Sequence, residues 1–277
     1  MKAADESLRQ VREQAAAAQV QEDAARTRLA QARRLRLFWQ ELLALITAGQ
    51  PAGALLLLRR EADVLLQQSP DAIPVGLLDA VVASVEQQAR VQAASFQRTF
   101  PAAMQAAGVL LDSTSRHPRY TVRDGFLHVE VDEPRLTATV RPRDGAEIVL
   151  GMDVAPLVDV IRGEVQRLFA RSLDYDDFLR RLWLAYQALL LEDGRVVGEA
   201  LPLRRVLARL GREAQPYPAD EFNVDLARLV QSEDTVVEAH RLQLHPTRRT
   251  RQGMLLHGLE AGGYAGFISF GQEEAGC

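Results

Sequence analysis

The chain has 277 residues, 47% hydrophobic and 25% charged, with a formal net charge of −4 and a pI near 5.8; this is the composition of a folded protein, and at roughly 100–200 residues per domain it predicts about two folded units. No apolar run is longer than that from Ala54 to Leu58, which falls far short of the roughly 20 residues of a membrane span, so no membrane partner is expected. Lys2 is the only lysine and 32 of the 33 positive charges are arginine, a base too strong for proton transfer or Schiff-base chemistry, which disfavours P-loop enzymes, kinases, pyridoxal-phosphate enzymes and nucleases with a metal-site lysine.

Residues 3–48 hold no Pro and no Gly and place Leu8, Val11, Ala15, Ala18, Ala25, Leu29 and Ala32 at the three-and-four spacing of a heptad seam. This predicts a long helix able to join a second copy or a partner protein. Glu22 interrupts the seam, and the stripe then widens to Leu35, Phe38, Trp39, Leu42, Leu45 and Ile46, as where a helix leaves a coiled coil for a globular contact. An Ala-rich seam buries little area per residue. The pairing is therefore expected to be weak alone, and folding back onto neighbouring helices is the alternative. Gly49-Gln50-Pro51 ends the helix. A second is predicted from about Ala54 to Gln68, stopped by Ser69-Pro70, and a third from about Val75 to Arg98 on Leu78, Val81, Val82, Val85, Ala89 and Phe96.

At His117 the apolar period changes from 3.6 to 2, through Tyr120 and Val122, Leu127 to Val131, Leu136 to Val140, and Ile148 and Leu150. These are the strands of an antiparallel meander, with Asp124-Gly125 and Asp144-Gly145 as tight turns that require positive φ. A helix from about Val154 to Arg171 can cover one side of the sheet. Asp174 is placed to cap the next helix, whose inward face is Phe178, Leu182, Tyr186 and Leu189. A short extended stretch at Val196-Val197 follows. Helices are then predicted from about Pro202 to Leu210 and Asp220 to Val230, and strands at Val236 to Leu244, Met254 to His257 and Tyr264 to Phe270. Helix, short strand, helix, helix, strand, loop, strand over residues 174–270 resembles the winged-helix variant of the helix-turn-helix fold. The fold class read from the chain is α+β, with a helical coiled-coil or bundle region over 1–110, a meander with its covering helix over 111–172, and a winged-helix-like domain over 173–277.

The segment from Ala239 to Leu259 carries Arg241, Arg248, Arg249 and Arg251 with His240, His245 and His257, and no acidic residue, in a chain that is acidic overall. In the winged-helix resemblance, residues 245–253 are the wing, a hairpin tip that can lay guanidinium groups and Thr hydroxyls against phosphates. The plain alternative is an exposed loop with solvated or locally paired arginines. A smaller basic patch, Arg116, His117, Arg119 and Arg123, reads more simply as an exposed hairpin edge. A winged helix that reads DNA lays its third helix in the major groove. Here Asp220, Glu221, Asp225, Glu233 and Asp234 face Arg228 alone, which opposes that role and makes the helix a candidate protein-docking face.

Asp174, Asp176 and Asp177 are explained by capping at a helix N-terminus rather than by a metal. His240 and His245, five positions apart on a predicted strand, point to opposite faces and cannot share a metal ion. HExxH and GxSxG are absent, and Gly262-Gly263 leads into a strand where a phosphate-cradling loop would open a helix. Trp39 and Trp183 fall on apolar stripes and are expected in the core. The lone cysteine, Cys277, permits no intramolecular disulfide. The N-terminus lacks the apolar stretch of a secretory signal, and a cytoplasmic location follows as the expectation. No cofactor, metal or catalytic residue is expected. The reading is a non-catalytic assembly subunit of a nucleic-acid-associated complex with weak phosphate contact through the basic wing. The alternative is a dimeric sequence-specific transcription regulator.

Overall fold

The computed structural model describes residues 2–68, 74–212, 217–232, 235–249, 253–256 and 264–272, with backbone alone for 2–8, 10, 68 and 75. It is a mixed α and β structure of two compact units. One comprises Met1–Ser95 with Glu133–Thr137 and Gly151–Asp153, and the other Phe96–Asp132, Ala138–Leu150 and Val154–Cys277. The meander and the C-terminal elements thus share one unit. Among the described residues, no helix is long and apolar enough to cross a membrane.

The first unit is built on α1 (Lys2–Thr47), α2 (Pro51–Gln68) and the first two thirds of α3 (Val75–Ala106). With 46 residues, α1 extends about 69 Å at 1.5 Å per residue. Its second half carries the widened stripe into a core where Phe38 and Leu42 meet Ala54, Leu57, Leu58, Leu65, Leu78 and Val85, with Leu35, Trp39 and Leu45 packed alongside. From Val11 to Ala30 every residue is exposed, so this length of the helix does not fold back.

The chain returns to the first unit at Gly151–Asp153, where the Asp153 carboxylate accepts hydrogen bonds from the Ala52 and Gly53 amides at 3.1 and 2.6 Å. Those amides belong to the first turn of α2 and have no partner within the helix, so a residue a hundred positions away supplies the cap. Burial pushes the Asp153 carboxyl above its ordinary range, against the two amide bonds that lower it. The approach is close enough that a Cβ on Gly151 would stand 2.2 Å from the Gly53 nitrogen.

The third helix runs past its expected end at Arg98 and through Pro101. Phe96, Phe100 and Met104, at i,i+4 spacing, are each at most 1% exposed. Their burial in the second unit outweighs the hydrogen bond that Pro101 cannot donate.

The second unit contains two sheets. Strands β1 (Arg119–Val122), β2 (Leu127–Asp132), β3 (Thr137–Pro142) and β4 (Ile148–Gly151) lie in sequence order as the expected meander. The expected tight turn at Asp124-Gly125 is a four-residue loop with positive φ at Arg123, Asp124 and Gly125, stabilised by the Asp112 carboxylate, which accepts from the Asp124 and Gly125 amides. After α4 (Val154–Phe169) comes α5 (Tyr175–Asp193), capped by the Asp174 side chain, which accepts from the Asp177 amide.

The extended stretch expected at Val196-Val197 is instead a solvent-exposed turn, tied down by the Tyr186 hydroxyl, which donates to the Glu199 carbonyl and accepts from the Gly198 amide. The short strand is β5 (Leu201–Pro202). It leads to α6 (Leu203–Leu210) and α7 (Ala219–Gln231). The strand expected over Val236–Leu244 is broken into β6 (Val236–Val237) and β7 (His240–Pro246) by positive φ at Glu238 and Ala239. Strands β8 (Met254–Leu255) and β9 (Tyr264–Gln272) complete the second sheet, in the order β5-β9-β7-β6 with β8 also on β9. Trp183, Tyr186, Leu210, Phe222, Ile268 and Phe270 lie at the centre of its core.

Candidate nucleic-acid interface

The basic segment is carried by β9. Strand β7 pairs antiparallel with it from His240↔Gln272 to Pro246↔Ala265, with a register shift after His245, and β8 pairs with it at Met254↔Ala265 and Leu255↔Tyr264. The connection after β7 is therefore held by β9 at both ends, although β7 and β8 do not pair with each other. Thr247 anchors its start: its amide donates to the Tyr264 carbonyl at 2.8 Å, its hydroxyl accepts from the Arg249 amide at 3.1 Å, and the Gly253 amide donates to the Arg249 carbonyl at 2.9 Å.

On this pinned backbone Arg248 and Arg249 are exposed, and no carboxylate among the described residues meets either guanidinium. Arg251, Thr250 and His257 lie outside the described residues. Arg241 is set apart from the tip. It pairs with Gly271 near the start of β7 and donates to the Thr235 hydroxyl at 3.3 Å, about 20 Å of extended strand away from Thr247. His240 stacks on Trp183 with ring centroids 4.8 Å apart, and His245 is hydrogen-bonded to the Ser269 hydroxyl at 2.8 Å. Both histidines serve the packing of the sheet. Among the described residues no three His, Cys, Asp or Glu side chains converge on a metal-sized site.

The smaller basic patch divides. Arg116 turns onto its own loop and donates to the Ser113 and Ser115 carbonyls. Arg119 lies on the open face of the meander opposite Glu130, which it meets at 3.2 Å. That face holds three further residues that sequence reasoning missed, His128, Arg141 and Arg143, around a cleft of about 440 Å³. The signal available was alternation: Arg119 and Arg141 each sit on the polar parity of their strand.

Two contacts join this cleft to the base of the β7–β8 connection. Arg143 donates to the Tyr264 hydroxyl, with its guanidinium 5.1 Å from the ring centroid. Arg204 bridges the Asp144 carboxylate and the Gly253 carbonyl at 3.2 and 3.1 Å. Burial, and then the positive charges of Arg143 and Arg141, hold the His128 imidazole below its usual value of 6.5, while a hydrogen bond to the Gly125 backbone and the Asp112 charge oppose them. Because the folded state resists protonation, the unfolded chain takes up this proton first as pH falls below 6.5, and stability drops there. Thermal melts of the second unit between pH 7 and 5 are expected to show a decline that His128→Gln reduces.

The acidic third helix is not a docking face. Asp220 and Asp225 are buried, and the carboxylates of α7 are taken up by arginines of α4 and the residues just after it. Arg167 reaches Asp220 and Glu221 as well as Glu164, and Arg171 reaches Glu221 and Asp225. Tyr217 donates to Asp225 and accepts from Arg171. Glu233 and Asp234 lie outside the described residues. From Asp220 to Leu229 the helix is buried at all but Glu221 and Arg228, both of which are half-buried, so it presents no face to a groove.

Among the described residues, the heptad seam has no partner within this chain. Ala15, Ala18 and Ala25 are exposed, as are Val11 (65%) and Leu29 (52%), while the side chain of Leu8 lies outside the described residues. Comparison with known proteins returns no matching protein family, no matching curated protein and no matching solved structure.

Proposed function

We propose that the protein is a non-catalytic assembly subunit of a nucleic-acid-associated complex, acting in the cytoplasm, whose C-terminal region is a winged helix that touches phosphates weakly through its wing. The observation that carries this reading is the pair of exposed guanidiniums of Arg248 and Arg249, which meet no carboxylate among the described residues, on a loop that β9 pins at both ends. The winged-helix assignment is supported by strand order: the short strand before α6 pairs with the last strand, which pairs in turn with β7, the second strand after α7. Burial of α7 favours wing-only contact over base reading, since base edges are read by side chains that enter a groove. The same burial weighs against a sequence-specific regulator. The exposed seam of α1 supports docking to a second copy or to a partner helix.

Contact of this kind is indifferent to sequence, because phosphates carry none. Fluorescence anisotropy with two duplexes of equal length and unrelated sequence is expected to give affinities within about threefold of each other in low salt. A preference of about a hundredfold for one duplex would instead indicate a sequence-specific protein.

A further inference from the structure

The cleft on the open face of the meander has a feature the wing does not explain. Arg143 is half-buried, and its partners among the described residues are the hydroxyl and ring of Tyr264, a neutral group. A cation withdrawn from water is normally matched by an anion, because desolvation is otherwise uncompensated. Neither carboxylate at the cleft supplies that match: Glu130 is engaged by Arg119, and Asp144 accepts from Arg204 and from the Asn223 amide at 3.0 Å. Arg141 stands beside it in an exposed pair with Glu147, a weak arrangement that is readily exchanged for a better anion.

We infer that this cleft is a binding site for a phosphate group, held between Arg143 and Arg141 with the Thr139 hydroxyl as a further donor. Phosphate fits better than carboxylate because one guanidinium fork satisfies a carboxylate, whereas a phosphomonoester offers three oxygens and nearly two charges. The volume of about 440 Å³ exceeds a bare phosphate and lies within the usual range for small-molecule pockets, roughly 300–1,000 Å³. The ligand is therefore a phosphomonoester of about nucleotide size, whose source is either a free small molecule or the terminal phosphate of a nucleic-acid strand. This site is independent of the wing reading and survives its failure.

The test is titration calorimetry of the full chain with adenosine 5′-monophosphate, with adenosine, and with one short single strand carrying either a 5′-phosphate or a 5′-hydroxyl. Saturable binding of the monophosphate or of the phosphorylated strand is expected, with adenosine inert. Arg143→Gln and Arg141→Ala are each expected to weaken binding by about tenfold or more, and Arg248→Ala/Arg249→Ala to leave monophosphate binding within about twofold. Arg141 is exposed and its replacement does not threaten the fold, so the inference does not depend on the Arg143 variant folding. A gain from the 5′-phosphate on the strand identifies a strand end, and its absence beside monophosphate binding identifies a small molecule. No saturable binding of either phosphate probe up to about 10 mM, or binding that both cleft variants retain in full, overturns the inference.

Discussion

Arg171→Ala is expected to destabilise the second unit by about 3–5 kcal/mol, the usual cost of stranding a buried charge. Asp225 is fully buried, and Arg171 and the Tyr217 hydroxyl are its partners; without the guanidinium the carboxylate can neither ionise cheaply nor reach water. Glu221 would lose a partner too, but it keeps Arg167 and is partly exposed, so its share is small. Asp225→Asn in the same background should recover part of the loss by removing the stranded charge. Urea unfolding followed by the fluorescence of Trp183, in a Trp39→Phe background, reports this unit. A change below about 1 kcal/mol in Arg171→Ala would mean that the α4–α7 ion cluster is not formed.

Gly151→Ala is expected to cost the first unit about 3 kcal/mol, at the upper end of the range for overpacking. A Cβ there would lie 2.2 Å from the Gly53 nitrogen and 2.3 Å from the Ala52 carbonyl carbon. Both are backbone atoms of a helix start, which cannot swing aside as a flexible side chain can. Separation of the two segments would break the bonds from the Ala52 and Gly53 amides to Asp153, so the cap is lost with the packing. Trp39 fluorescence in a Trp183→Phe background reports this unit. An unfolding midpoint equal to that of the parent would show that Gly151 does not approach α2.

Local signals in the sequence carried most of the fold. The capping role of Asp174, the inward face of α5 and the strands of the meander depend on residues within a few positions of each other, and each lies where periodicity places it. The acidic character of α7 was equally visible, but its meaning was not: the arginines that neutralise it lie at least 50 positions earlier in the chain, and a helix read alone looks like an exposed acidic face. The broken strand at Glu238-Ala239 escaped because neither residue is a usual carrier of positive φ. At the site, Arg248 and Arg249 were legible as a charge anomaly. The cleft was not, because Arg119, His128, Arg141 and Arg143 come together through strand pairing and through a tyrosine more than a hundred positions further along.

The dependence of duplex binding on salt, measured for the parent chain and for Arg248→Ala/Arg249→Ala, tests the wing contact most directly. Each guanidinium that neutralises a phosphate adds about 0.9 to the slope of log association constant against log salt. The expected result is a slope shallower by about 2 in the double variant, with affinity reduced on every sequence alike. An identical slope in the two proteins, or no binding by the parent chain at about 50 mM salt, would contradict phosphate contact through this loop.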